Sequence, residues 1–155
     1  MNIEYEYSFK VKNIDKYIKY CENNNYKKQM NNRQVRKLYK NDTNIMGRVT
    51  TNYKGNKKEI LFDFKNNDES DKILKENMES IPLNVKENDL KSIESILLFL
   101  NLKLDKVLDR TRIVYEKNNV KFEIDKYISP ELTCVVAIEG KKEEVDVVYN
   151  EVNNL

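Results

Sequence analysis

Residues 3–11 read Ile-Glu-Tyr-Glu-Tyr-Ser-Phe-Lys-Val, with apolar and polar side chains in strict alternation. A period of two residues predicts a β-strand, because successive side chains point to opposite faces of a sheet. Glu4, Glu6, Ser8 and Lys10 would then share one face. Two carboxylates and an ammonium group on one strand suit a site for a metal ion and a phosphate. The simpler interpretation is an antiparallel strand whose polar face meets water.

The size and charge of the chain limit the classes of function that it can have. We expect 155 residues to form one domain, spanning 1–155, around one core. The net charge of +2 is too small to drive binding to duplex nucleic acid or a membrane by bulk electrostatics. No signal peptide or membrane-spanning apolar run is visible in the sequence, so we expect a cytoplasmic protein.

The residue types that are scarce exclude several chemistries. The chain has no His, so it has no catalytic triad or metal site that depends on imidazole. Its 3 Gly are too few for a phosphate-binding glycine-rich loop, and the isolated Cys21 and Cys134 form no paired-thiol zinc site. Arginine offers phosphate a planar, bidentate fork that lysine lacks. The arginines are Arg33, Arg36, Arg48, Arg110 and Arg112.

Stretches with strand-like patterns recur along the chain. They cover residues 2–11, 33–40, 44–53, 58–65, about 76–85, 103–116, 120–128 and 133–139. Apolar residues spaced by three and four predict helices beginning near Asn13 and Asn88, and a third near the C-terminus. About eight mostly antiparallel strands suffice to close a barrel. We therefore predict an α+β fold, a closed eight-stranded antiparallel β-barrel with flanking helices.

The polar faces of these strands would line the barrel interior. The predicted acidic lining is Glu4, Glu6, Asp63, Glu123, Asp125 and Glu139, and the predicted basic lining is Lys10, Arg48, Lys65, Lys106, Arg110 and Arg112. Such a mixture suits a polyphosphate, because cations bind its oxygens while carboxylates hold a hard divalent metal. The alternative is a sandwich whose polar faces meet water and carry incidental salt bridges.

Five segments follow one another in an order that is found in a known family. Glu4-Tyr5-Glu6-Tyr7-Ser8 is similar to an N-terminal ExExK signature, and Phe62-Asp63-Phe64-Lys65 is similar to a strand with an inward lysine. Arg110-Thr111-Arg112 is similar to a K-x-R segment. Phe122-Glu123-Ile124-Asp125 is similar to a strand with an inward aspartate, and 134–140 to a final ExE strand. Together they resemble the CYTH domain, or triphosphate tunnel metalloenzyme, family.

The resemblance extends over essentially the full length, with departures at three positions. Ser8 stands where the ExExK signature has lysine, Ala137 where the final ExE strand has its first glutamate, and Met46 precedes Arg48 in place of a second inward arginine. The family includes class IV adenylyl cyclases, inorganic triphosphatases and thiamine triphosphatases. The resemblance therefore implies metal-dependent hydrolysis of inorganic triphosphate, a nucleoside triphosphate or thiamine triphosphate.

Roles for individual residues also follow from the resemblance. It implies Mg²⁺ or Mn²⁺ held by Glu4, Glu6 and Glu139, and catalytic roles for Glu6, Glu123 and Asp125. The substrate-binding residues would be Lys10, Arg48, Lys65, Lys106, Arg110 and Arg112. Nucleotide cyclisation of the class IV adenylyl cyclase type stays open, as does a degraded module that binds nucleotide or polyphosphate without turnover. The expected partner is a small triphosphate; no membrane or duplex nucleic acid is expected, and a homodimer stays open.

Overall fold

The computed structural model describes residues 2–155. Over that range the strands are β1 (Asn2–Val11), β2 (Lys27–Lys40), β3 (Ile45–Lys54), β4 (Lys57–Asn66), β5 (Lys75–Glu79), β6 (Leu83–Val85), β7 (Lys103–Lys117), β8 (Val120–Ser129) and β9 (Thr133–Gly140). The helices are α1 (Asp15–Asn23), α2 (Leu90–Phe99) and α3 (Lys142–Val152), and a 3₁₀ turn, Glu87–Asp89, precedes α2. None of the helices in the described range is long and apolar enough to cross a membrane.

Eight of the strands form a closed antiparallel barrel. The strand order is β3-β2-β7-β8-β9-β1-β5-β4, and β4 pairs with β3 to close the ring. The short β6 is an additional strand that pairs with β4. The predicted fold class is therefore confirmed. Because the ring is closed, the polar strand faces meet inside the barrel, and the open sandwich is wrong.

Two strand boundaries differ from the prediction. The predicted strand at about 76–85 is split into β5 and β6, because Pro82 has no N–H to donate to a ladder. Ser80 lies between the two strands, and its hydroxyl accepts a hydrogen bond of 2.8 Å from the Phe64 N–H. The strand predicted over 33–40 begins earlier, at Lys27, since β2 pairs with the whole length of β7. Long-range pairing of this kind leaves no local signal in the sequence.

The hydrophobic core lies outside the barrel, between its outer surface and the helices. α1 and α3 pack on β7, β8 and β9, where Tyr17, Cys21, Phe122, Ile138 and Val145 are buried together. α2 packs separately on β2, β3 and β4 through Ile93 and Leu97. The alternation along each strand thus directs apolar side chains outward to the helices, so that the polar side chains fill the interior.

Candidate functional site

The barrel encloses a cavity of about 310 Å³ with a strongly charged wall. Each of the eight barrel strands contributes at least one charged side chain to this wall. The acids are Glu6, Asp63, Glu79, Glu123, Asp125 and Glu139, and the bases are Arg36, Arg48, Lys65, Arg110, Arg112 and Lys121. Equal numbers of formal acids and bases make the wall close to neutral.

Most of the predicted lining residues do reach this cavity. Those that line it are Glu6, Arg48, Asp63, Lys65, Arg110, Arg112, Glu123, Asp125 and Glu139. Glu4 lies beside the cavity and is half-buried rather than part of its wall. Burial raises the pKa of Glu4, and the ammonium of Lys121 opposes that rise.

The predicted positions of Lys10 and Lys106 in the lining are wrong. The Nζ of Lys10 lies 2.9 Å from Glu131 Oε1 on the exposed surface. Lys106 is also exposed, on the first part of β7. The pairing of β8 with β7 ends at Ser129 opposite Asp109, so the preceding part of β7 extends beyond β8. Both residues alternate in phase with the inward-facing residues of their strands, but they lie beyond the end of the cavity wall. A strongly hydrated ammonium group stays in water there.

The structure adds three charged wall residues that the sequence analysis did not include. Lys121 precedes Glu123 by two residues, so the same alternation would have found it. Arg36 shares a face of β2 with Gln34, and this pattern was equally available. The inward direction of Glu79 could not be predicted in this way, because the strand breaks near Pro82 and its alternation of inward and outward residues is too short to read.

One half of the wall is held by ion pairs around Arg48. Its Nε donates to Asp63 Oδ1 at 2.8 Å, and its Nη1 lies 3.1 Å from Glu79 Oε1. Lys65 Nζ lies 3.6 Å from the same Glu79 oxygen and 3.9 Å from Glu6 Oε2. Burial works against ionisation of Glu79, but Arg48 and Lys65 nevertheless lower its pKa. The carboxylate of Glu79 therefore remains charged and paired.

The other half of the wall is organised around Arg112. Its Nε and Nη2 donate to the two oxygens of Asp125 at 2.8 Å each, and its Nη1 contacts Glu123. Lys121 Nζ lies 3.3 Å from Glu123 Oε1 and 2.8 Å from Glu139 Oε2. Despite burial, Arg112 and Lys121 hold the pKa of Glu123 well below its usual range.

A hydrogen-bonded network of neutral side chains adjoins Arg110. Its Nε donates to Gln34 Oε1 at 3.0 Å, and Gln34 Nε2 donates to Asn52 Oδ1 at 2.9 Å. Tyr127 accepts a further hydrogen bond from Arg110 through its hydroxyl oxygen. Burial and repulsion by Arg112 lower the pKa of Arg110. The network fixes the direction of the Arg110 guanidinium group.

Arg36 differs from the other wall bases because it forms no ion pair among residues 2–155. Its Nε donates to Thr50 Oγ1 at 2.9 Å. Burial, followed by repulsion from other cavity arginines, lowers the pKa of Arg36 to about 9, so it stays protonated at neutral pH. The repelling groups are Arg110, Arg48 and Arg112. An unpaired guanidinium group facing a cavity with other guanidinium groups is a strong anchor for an anion.

Glu6 and Glu139 form a carboxyl pair that lacks sufficient positive charge. They are direct partners in the register of β1 and β9. Burial raises the pKa of Glu139 well above its usual range, and repulsion by Glu123 and Glu6 adds to the rise. The buried Oε2 of Glu139 accepts no hydrogen bond, although the Lys121 ammonium lies close to it. Oxygen atoms in this situation suit a hard cation.

The structure contains no preformed metal centre of three or more His, Cys, Asp or Glu residues within 2–155. Of the predicted ligand set, Glu6 and Glu139 lie side by side, whereas Glu4 is paired in register with Asn77. Two carboxylates nevertheless fit Mg²⁺, which is commonly bound by one or two carboxylates with water and substrate phosphates completing its shell. The donor set is therefore compatible with such an ion.

Sequence comparisons find no matching family model and no matching curated protein. Solved structures with the same barrel do exist. The chain matches the PH1012 protein of Pyrococcus horikoshii OT3 with a TM-score of 0.72 and 21% identity, over 97% of this chain and 88% of that one. It matches a conserved hypothetical protein of Pyrococcus furiosus with a TM-score of 0.74 and 19% identity, over 95% of this chain and 88% of that one.

A third solved structure has a functional name. It is described as a "putative adenylate cyclase" from Vibrio parahaemolyticus and matches with a TM-score of 0.65 and 13% identity, over 97% of this chain and 83% of that one. At these identities the likeness shows the fold alone. The chain therefore shares its barrel fold with solved structures, two of which are named in this way.

Proposed function

We propose that the chain is a CYTH-like protein that binds a triphosphate compound in its barrel and hydrolyses the terminal phosphoanhydride with Mg²⁺ or Mn²⁺. The unpaired Arg36 in the cavity wall is the single observation that carries this proposal. A guanidinium group without a carboxylate partner is available to bind an anionic ligand, and phosphate oxygens match its fork geometry.

The charge balance of the wall favours a polyphosphate that arrives with metal. Equal numbers of acids and bases leave no excess charge for a free polyanion. A metal–polyphosphate complex is closer to neutral, and both of its components find partners in the wall. Arg48 and Arg112 would turn from carboxylates, and Arg110 from its neutral partners, to phosphate oxygens, while Glu6 and Glu139 would hold the cation.

The exchange of partners also prepares a base for hydrolysis. When Arg112 turns to phosphate, Asp125 loses its bidentate partner and can accept a proton. Asp125, or Glu123 beside it, would orient a water molecule and take its proton as the oxygen attacks the terminal phosphorus. The bond from phosphorus to the bridging oxygen then breaks, and the shorter phosphate chain leaves. A bound divalent cation supplies charge stabilisation for the phosphate oxygens.

Two observations support this choice of substrate class. The five sequence segments resemble those of a family of triphosphate-processing enzymes. In addition, nine of the predicted lining residues converge on one cavity. The name of the Vibrio parahaemolyticus neighbour keeps nucleotide cyclisation as the second candidate. In that reaction the ribose 3′-hydroxyl attacks the α-phosphorus and pyrophosphate leaves.

One assay separates these reactions. The purified chain is incubated with Mg²⁺ or Mn²⁺ and with tripolyphosphate, ATP or thiamine triphosphate, and the products are identified. We expect orthophosphate; pyrophosphate with cyclic nucleotide would instead establish cyclisation, and a raised melting temperature without products would establish a binding module. A chelator should abolish turnover.

Arg36 provides the matched test of binding. Arg36→Ala should weaken tripolyphosphate binding by roughly ten-fold or more, because charge-assisted hydrogen bonds to charged groups contribute about 1.5–3 kcal/mol. Lys10→Ala, on the exposed surface, should leave binding unchanged. Absence of any triphosphate binding by the wild-type chain, with or without metal, would refute the proposal.

A further inference from the structure

The ammonium group of Lys121 lies against two carboxylates on the neighbouring strands β8 and β9 in the cavity wall. Its Nζ lies 3.3 Å from Glu123 Oε1 and 2.8 Å from Glu139 Oε2. Glu139 and Glu123 are only 7% and 8% exposed, so their negative charges need a cation in this place. The side chain of Lys121 provides that cation from within the chain.

The position resembles a cation site more than an ordinary surface ion pair. The carboxylates come from β8 and β9, and Glu4 of β1 is close enough for its pKa to respond to Lys121. The buried Glu139 Oε2 has the compact ammonium group of Lys121 at 2.8 Å. Lys121 thus joins carboxylate oxygens of β8 and β9, and oxygen is the ligand type that a hard divalent ion prefers.

We propose that Lys121 is a tethered cation that occupies a second cation position, between Glu123 and Glu139, and keeps divalent metal out of it. Under the proposed function, on which this inference rests, the chain would then use the single divalent ion held by Glu6 and Glu139, while the ammonium group of Lys121 fills the place between Glu139 and Glu123. This inference concerns the same cavity as the proposed function, but it can be tested with metal alone and does not require triphosphate turnover.

Removing the positive charge at position 121 should change how many divalent ions the cavity binds. A neutral side chain at position 121 would leave Glu123 and Glu139 without their shared partner. Arg112 would still contact Glu123, whereas Glu139 would lose the only cation that lies against it. A divalent ion should enter the vacated place, because its charge and oxygen preference match the two carboxylates better than water does.

The experiment is a titration with Mn²⁺ alone, followed by calorimetry, in the absence of phosphate compounds. Lys121→Met should bind one Mn²⁺ more per chain than the wild type, because two carboxylates lose their shared cation. Adding Glu123→Gln to that variant should remove the extra site. Lys10→Met is the control, since Lys10 and its partner Glu131 are both exposed and neither lines the cavity.

The result that overturns the inference is an unchanged number of Mn²⁺ sites in folded Lys121→Met. If this variant does not fold without metal, Mn²⁺ should restore its circular dichroism spectrum, and failure of any divalent ion to do so would equally refute the inference. Lys121→Arg, which keeps the charge, should fold and show the wild-type number of sites. Tripolyphosphate binding through Arg36 is measured separately, so either proposal can fail without the other.

Discussion

Arg112 on β7 and Asp125 on β8 are direct register partners on adjacent strands, and their side chains share two hydrogen bonds of 2.8 Å inside the barrel. This bidentate pair uses the same guanidinium fork that would bind a phosphate. The carboxylate of Asp125 therefore competes with any phosphate ligand for Arg112. Competition of this kind explains why a wall so rich in arginine is not strongly electropositive.

Removal of the negative charge of Asp125 should strengthen the binding of phosphate to Arg112. Asp125→Asn should bind tripolyphosphate several-fold more tightly in the absence of metal, because Arg112 is then free to turn toward it. The unliganded variant should lose about 3 kcal/mol of unfolding free energy, since breaking a buried ion pair leaves one charge without its partner. Calorimetric titration and denaturant unfolding measure the two effects.

Glu131→Gln is the control for this change, because it removes only an exposed partner of Lys10. It should alter neither quantity measurably. Equal phosphate affinity of a folded Asp125→Asn variant and the wild type would show that Arg112 does not contact the ligand.

Gly47 allows α2 to approach the barrel closely. A Cβ at this position would lie 2.8 Å from Leu97 Cδ2, and Leu97 is completely buried. Gly47→Ala should therefore lower the free energy of unfolding by about 1–3 kcal/mol through overpacking. Denaturant unfolding followed by circular dichroism gives the value.

The double variant with Leu97→Ala tests the cause. Leu97→Ala alone should cost about 2–5 kcal/mol, because it empties part of the core. If the clash is with Leu97, the two costs should not add, and Gly47→Ala should become nearly harmless in the Leu97→Ala background. Simple additivity would place the strain elsewhere.

The two cysteines should differ in reactivity. Cys21 is completely buried on the core-facing side of α1, and burial raises the pKa of its thiol to about 12. Cys134 is only half-buried on β9. A thiol reagent at neutral pH should therefore modify one cysteine per folded chain and both after unfolding, because the thiolate is the reactive form. Cys134→Ser is the control, and its folded form should react very slowly; rapid reaction would mean that α1 detaches readily.

Alkaline pH should weaken the packing of α3 on the barrel. The rings of Tyr7 and Tyr149 are stacked 3.9 Å apart, and the Tyr7 hydroxyl donates to Asp146 at 2.6 Å. Burial, together with the hydrogen bond to Asp146, raises the pKa of Tyr7 from 10.0 to about 12. Above pH 10 the unfolded chain loses the Tyr7 proton before the folded chain does, so it binds fewer protons.

Loss of the Tyr7 proton at alkaline pH should therefore destabilise the folded chain. The stabilisation from the neutral Tyr7 is complete below pH 10 and disappears as the pH rises toward 12, so the unfolding free energy should fall in that interval. Tyr7→Phe should show a shallower fall than the wild type. Denaturant unfolding at a series of pH values measures the slope, and identical slopes for both proteins would exclude Tyr7 as a contributor.

The sequence by itself determined which side chains face inward along the long strands. The alternation in β1 and β8 predicted the inward direction of Glu6, Glu123 and Asp125, since the two-residue period is a local property of the backbone. The same parity would have identified Lys121. It could not show where a strand passes beyond the cavity, and for that reason Lys10 and Lys106 were misplaced.

Only the tertiary structure decided which acid meets which base. Arg48 binds Glu79 although 31 positions separate them in the sequence (79 − 48), and Glu6 lies opposite Glu139 because β1 pairs with β9. The unpaired state of Arg36 is likewise a result of strand order and register. Such long-range neighbours depend on how the barrel closes, because an inward direction does not specify what a side chain meets on the opposite wall.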